Sequence, residues 1–93
     1  MSGNHQHIDD LIRLLAETTD EGALRALLED LCTTKELENM AERCYAAKLL
    51  LEGKTYNQVM ELVEISSATL SRVSRCVQYG SGYSGLLKEP SAN

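Results

Sequence analysis

One stretch, Gly53 to Tyr79 (GKTYNQVMELVEISSATLSRVSRCVQY), limits the folds open to this chain more than any other. Thr55 and Gln58 stand in the T-x-x-Q order of a capping box, which predicts a helix from about Tyr56. Tyr56, Val59, Met60 and Val63 then recur at helical spacing. Ser66 and Ser67 follow as N-cap candidates for a second helix. On that helix Leu70, Val73 and Val77 fall on one side, and Ala68, Ser71, Arg72, Arg75 and Gln78 on the other, since each residue advances about 100°. Small residues let a helix backbone approach base edges, and arginine supplies forked donors to guanine or phosphate. The pattern reads as a helix-turn-helix over 55–79, with Thr55, Tyr56, Gln58, Ser66, Ser67, Ala68, Thr69, Ser71, Arg72 and Arg75 as the residues expected at DNA. Short capped helix pairs also occur in all-α proteins that never touch nucleic acid, so periodicity alone leaves both readings open.

Cys32-Thr33-Thr34-Lys35-Glu36-Leu37, then Leu50-Leu51-Glu52-Gly53 and Ala68-Thr69-Leu70-Ser71-Arg72, resemble the Trp repressor superfamily. TTKELENMAERCYAAKLLLEGKTYNQV followed by SATLSRVSRCVQYG is similar to its Trp repressor-like YerC/YecD group, over roughly Cys32 to Tyr83. The resemblance implies an all-helical, intertwined homodimer that acts in bacteria as a DNA-binding transcriptional regulator. It also implies where an effector would sit. In that family's ligand site one arginine stacks on the indole of tryptophan and another holds its carboxylate, and Arg43 and Arg72 match those positions. Thr33 and Thr69 match hydroxyl-bearing neighbours. Val73 replaces a glycine that leaves room for the indole, and Cys76 replaces a serine that helps hold the amine. Overpacking costs about 1–3 kcal/mol, and a lost polar contact about 1 kcal/mol more. Tryptophan is therefore not the expected effector; another small effector, or none, is left open.

The 93 residues make one domain near the small end for a self-sufficient core. There is no Trp or Phe, so the core must come from Leu, Ile, Val, Met and Ala, which bury less area per side chain than aromatics. Net charge is −5, but unevenly spread. Residues 1–31 carry seven acids and two bases, residues 32–64 six acids and four bases, and residues 65–93 one acid and three bases. The predicted reading helix, Ser67 to Tyr79, holds Arg72 and Arg75 and no acid, and local sign decides phosphate contact. Three cysteines, Cys32, Cys44 and Cys76, lack C-x-x-C spacing, and neither end carries a secretory or membrane-spanning apolar run. The expectation is reduced thiols in a cytoplasmic protein with no metal site and no cofactor.

In chain order, residues 1–7 read as a flexible lead-in. Ile8, Leu11, Ile12 and Leu15 mark a first helix, and Thr18 with Glu21 reads as a capping box opening a second whose stripe is Leu24, Leu27, Leu28 and Leu31. Both stripes need a partner, because isolated helices of this length are marginal in water. Asp9-Asp10 and Glu29-Asp30 are adjacent pairs that point different ways on a helix, so no enzyme is expected. Thr33 and Glu36 cap a third helix that Gly53 closes. Leu37, Met40, Ala41, Cys44, Ala47, Lys48 and Leu51 trace one stripe on it, and Ala46, Leu49 and Leu50 add apolar surface elsewhere, which suggests the centre of a dimer. Residues 80–93, rich in Gly and Ser, read as a flexible tail. The whole is an all-α chain of five to six helices, with residues 8–79 as a single helical domain. The second function considered is an all-α protein-interaction module without DNA binding, which the acidic first 31 residues would suit.

Overall fold

The computed structural model describes residues 3–87. Six α-helices occur among them, and no strand: α1 Gly3–Glu17, α2 Glu21–Leu31, α3 Thr34–Leu51, α4 Tyr56–Leu62, α5 Ser67–Tyr79 and α6 Gly82–Leu86. The all-α fold read from the sequence is the fold observed. Contacts divide the chain after Leu37 into two compact units.

In the first unit α1 starts at Gly3, inside the stretch expected to be a polar lead-in. Its side chains supply their own local support: Gln6 Nε2 donates to Asp10 Oδ1 at 2.9 Å, and Arg13 pairs with the same carboxylate at 3.4 Å. These are i,i+4 and i,i+3 partners on one helical face. The expected Thr18–Glu21 box is not formed. Asp20 is the N-cap of α2, its carboxylate accepting from the Ala23 N–H at 2.8 Å. Thr18 Oγ1 instead donates back to the Leu14 carbonyl at 2.7 Å, finishing α1. An aspartate beats a threonine here because its charge also favours the positive end of the helix dipole. No described side chain of α1 or α2 is buried, and Ile8, Leu11, Ile12, Leu14 and Leu31 are exposed.

The second unit contains the core. Ala46 and Leu49 of α3, Val59 of α4, Val63 at the C-terminal cap of α4 and Leu70 of α5 cluster together, with Leu50 and Ile65 packed against them. Alanine at 46 and 47 leaves no side-chain bulk between α3 and its neighbours, and both are fully buried. The buried side of α3 is thus the Ala46–Leu49–Leu50 surface. Of the long stripe traced in the sequence, Ala47 is buried, whereas Met40, Ala41, Cys44 and Lys48 are exposed. On α4, Val59 and Val63 go inward while Tyr56 and Met60 stay 41% exposed, so half of that stripe is used.

The turns follow the sequence closely. Thr33 and Glu36 form a reciprocal box at 2.8 and 3.0 Å. Gly53 ends α3 with φ 99°, a conformation a Cβ disfavours, and the Lys54 N–H reaches back to the Leu49 carbonyl at 3.0 Å. Residues 82–86, expected to be part of a tail, form the short helix α6 packed on α5. Gly85 and Leu87 N–H groups close its turns on Ser81 and Tyr83 carbonyls at 2.9 and 2.8 Å. Tyr83 with Leu86 and Leu87, three and four residues on, is an apolar spacing that outweighs the three glycines around it. The remainder of the expected tail, residues 88–93, lies outside the described residues, as do Met1 and Ser2.

The cap assignment is open to a direct check. Asp20→Ala should lower unfolding stability by about 1 kcal/mol, and Thr18→Ala by less. Urea unfolding of the three proteins at one concentration measures both. A larger loss for Thr18→Ala would restore the capping box to Thr18.

Candidate nucleic-acid interface and adjoining cavities

The pair α4–α5 is held at both starts by side-chain caps. Thr55 Oγ1 accepts from the Gln58 N–H at 3.2 Å, and Gln58 Oε1 accepts from the Thr55 N–H at 2.9 Å, a complete capping box. The turn 63–66 leaves α4 at Val63, whose N–H closes on the Val59 carbonyl at 2.8 Å. Ser66 then caps α5, accepting from the Thr69 N–H at 3.1 Å and donating to Thr69 Oγ1 at 3.0 Å. Val59, Val63 and Leu70 lock the two helices together beneath these caps.

This geometry separates the sequence-predicted residues into two groups. Thr55, Gln58, Ser66 and Thr69 have oxygens engaged in caps, so they position the helices; Gln58 keeps its Nε2 donors free. Ser67, Ala68, Ser71, Arg72 and Arg75 are exposed along α5, and Tyr56 is exposed at the start of α4. Leu70 and Val73 are buried on the opposite side, as their spacing predicts. Among the described residues the two ion pairs lie within α1 and α2, and neither involves Arg72 or Arg75. Their guanidinium groups are thus available to an outside acceptor.

Two features of α5 escaped the sequence reading. Ser74 is buried, and its hydroxyl accepts from Gln78 Nε2 at 3.3 Å, which holds Gln78 against the helix. Tyr79 is 81% exposed. It lies seven residues from Arg72 and four from Arg75, so it extends the same face by a further turn. That spacing is present in the sequence.

The residues named as an effector pocket are not all brought to one place. Arg43 and Thr69 line a cavity of about 250 Å³, together with Asn39 and Glu42 of α3 and Glu64, Ile65 and Ser66 of the turn. Arg72 is not among its lining residues, and Val73 is 1% exposed inside the second unit. Cys76 lines a different cavity, of about 490 Å³, with Cys44. Thr33 lies before the division of the chain and spends its hydroxyl on the cap of α3. Among the described residues no group of His, Cys, Asp or Glu could hold a metal ion. No helix among them is long and apolar enough to cross a membrane.

A capped short helix, a tight turn and a second helix with an acid-free outer face define a helix-turn-helix protein. The chain belongs to the Trp repressor family, whose model, described as Trp repressor protein, matches residues 6–90. It is 35% identical over 75 residues to the uncharacterised protein YerC of Bacillus subtilis (strain 168), covering 81% of this chain and 72% of that protein. The fold is similar to the crystal structure of a candidate Trp repressor from Staphylococcus aureus. That match has a TM-score of 0.82 and 29% identity over 88% of this chain and 83% of the other.

Proposed function

We propose that this protein is a cytoplasmic transcriptional regulator that binds a near-palindromic DNA operator as a homodimer. The observation that carries the reading is the outer face of α5, where Ala68, Ser71, Arg72 and Arg75 are exposed with no acidic residue on the helix. Small side chains allow the helix to sit close to base edges in the major groove, and the two arginines donate to guanine or phosphate. Thr55, Gln58, Ser66 and Thr69 set the angle and register at which α5 is presented. Family membership supports the same reading, since the likeness to Trp repressors implies a DNA-binding regulator. The overall charge of −5 works against nonspecific binding, so a modest salt dependence is expected.

The dimer is supported by apolar surface with no cover in the single chain. Ile8, Leu11, Ile12 and Leu14 of α1 are exposed, and Met40 and Tyr45 of α3 are 40% and 48% exposed. A core limited to a few aliphatic residues in the second unit is small for a stable monomer. Two copies of α5 related by a two-fold axis would read two half-sites of one operator.

Tryptophan is not the effector in this proposal. The Arg43 cavity carries one arginine and two carboxylates, Glu42 and Glu64, so an amino acid's carboxylate would meet net negative walls. Val73 fills its site in the interior, and Cys76 offers no strong hydrogen-bond partner to an amine.

Three measurements test these statements. In a fluorescence-anisotropy or gel-shift series with genomic fragments, the wild type should bind DNA. A base contact by Arg72 or Arg75 should cost about 1–3 kcal/mol at one operator position when replaced by Ala, and a phosphate contact should weaken all sequences alike. Wild-type affinity in both Arg72→Ala and Arg75→Ala would exclude α5 as the reader, and no binding at low salt would favour a protein-interaction module. Sedimentation equilibrium at micromolar concentration should return twice the chain mass; a folded monomer would remove the dimer. Calorimetry with millimolar L-tryptophan should register no binding heat, and saturable tight binding would overturn the exclusion of tryptophan.

A further inference from the structure

Tyr79 is the last residue of α5 and stands 81% exposed, in a chain without Phe or Trp that is short of large side chains for its core. The hydrogen bonds beside it run from Gln78 Nε2 to Ser74 Oγ and from Ser84 Oγ to the Gly80 carbonyl, and neither takes up the phenol. The backbone fixes its place. The Gly80 N–H closes on the Cys76 carbonyl at 2.8 Å, and a Cβ at residue 80 would stand 2.8 Å from that same oxygen. Glycine at 80 is therefore what lets α5 end in this geometry, with Tyr79 as its final outward group.

At about 100° per residue, Ala68, Arg72, Arg75 and Tyr79 fall within an arc of about 60° on α5, with Ser71 about 40° beyond Arg75. At about 1.5 Å per residue, Tyr79 lies about 6 Å past Arg75 and about 16 Å past Ala68 along the axis. Side-chain reach grows in that order: Ala68 and Ser71 are short, Arg72 and Arg75 are long, and Tyr79 is long and stiff. This order fits a helix whose N-terminal turns lie near base edges while its last turn stands off toward the rim of the groove. The rim is lined by phosphates, whose oxygens tyrosine hydroxyls are among the groups to contact. Base faces inside a duplex are covered by their neighbours and offer the ring nothing to stack on.

We propose that Tyr79 donates its phenolic O–H to a phosphate oxygen at the edge of each half-site and so fixes the tilt of α5 in the groove. This contact rests on the DNA reading of α5, and adds to it a tie that carries neither charge nor sequence information. Arg72 and Arg75, exposed on the same arc of a helix without acids, supply the positive field that draws the backbone there.

Wild type, Tyr79→Phe and Tyr79→Ala are compared on one short duplex that the wild type selects from a randomised pool. Tyr79→Phe removes a single exposed oxygen, so folding and assembly should be untouched. It should bind about tenfold more weakly, the scale of one hydrogen bond lost in each of two half-sites. Single-base variants of the duplex should show the same factor, because a phosphate contact does not read sequence. The slope of log affinity against log salt should stay unchanged, because a phenol neutralises no phosphate. Phosphate-ethylation interference should lose one position per half-site in Tyr79→Phe and keep the others. Wild-type affinity in Tyr79→Phe, a factor that varies with base sequence, or an unaltered ethylation pattern overturns the contact and leaves α5 as the reader. A sedimentation mass for Tyr79→Ala below that of the wild type would assign the ring to the contact between copies, and overturns it too. A wild type that selects no duplex at low salt refutes the regulator reading itself, and this contact with it.

Discussion

The contact of Ala46 and Leu49 with Val59, Val63 and Leu70 is what the second unit depends on. Every surface of interest is placed by it: α5 is presented outward because Leu70 and Val73 are drawn inward. The side chains involved are small, and with no Phe or Trp in the chain no aromatic anchor compensates. Each fully buried Val or Leu contributes about 1.5–3 kcal/mol relative to exposure. A cluster of this size leaves little margin, which is the physical reason that local devices, the caps and the Gly53 turn, are so fully used here.

Those local devices do two jobs with one set of atoms. The hydroxyl of Ser66 and the box between Thr55 and Gln58 satisfy helix-end N–H groups that would otherwise be lost to folding. They also fix where α5 begins, and so which of its residues face outward. A residue committed to a cap has fewer free donors and acceptors for a base. The division of labour between cap residues and the exposed Ala68, Ser71, Arg72 and Arg75 follows from that accounting of hydrogen bonds.

The apolar surface left over is distributed, not random. On α3 the face used within the chain is built on Ala46, Leu49 and Leu50, and the face carrying Met40, Ala41 and Cys44 is exposed. The first unit buries no described side chain of α1 or α2. A chain that spends its apolar residues on two faces of its longest helix, and covers one, is consistent with assembly as the completing step.

Helix identities and most boundaries were legible in the sequence because they depend on neighbours within four positions. Thr55, Gln58, Ser66 and Gly53 announce helix ends by chemistry that operates locally, and the limits of α5 come out residue for residue. At the start of α2 the local reading failed: the sequence pattern pointed to Thr18 with Glu21, whereas Asp20 takes the cap and Thr18 turns back to the Leu14 carbonyl. Glycine-rich composition likewise hid α6, whose formation depends on packing against α5. The tertiary structure alone decided which apolar face of α3 is buried, that Ser74 is interior, and that Cys76 joins Cys44 instead of Arg43. Those outcomes turn on which helices meet in space, and periodicity along one helix carries no information about the identity of its neighbour.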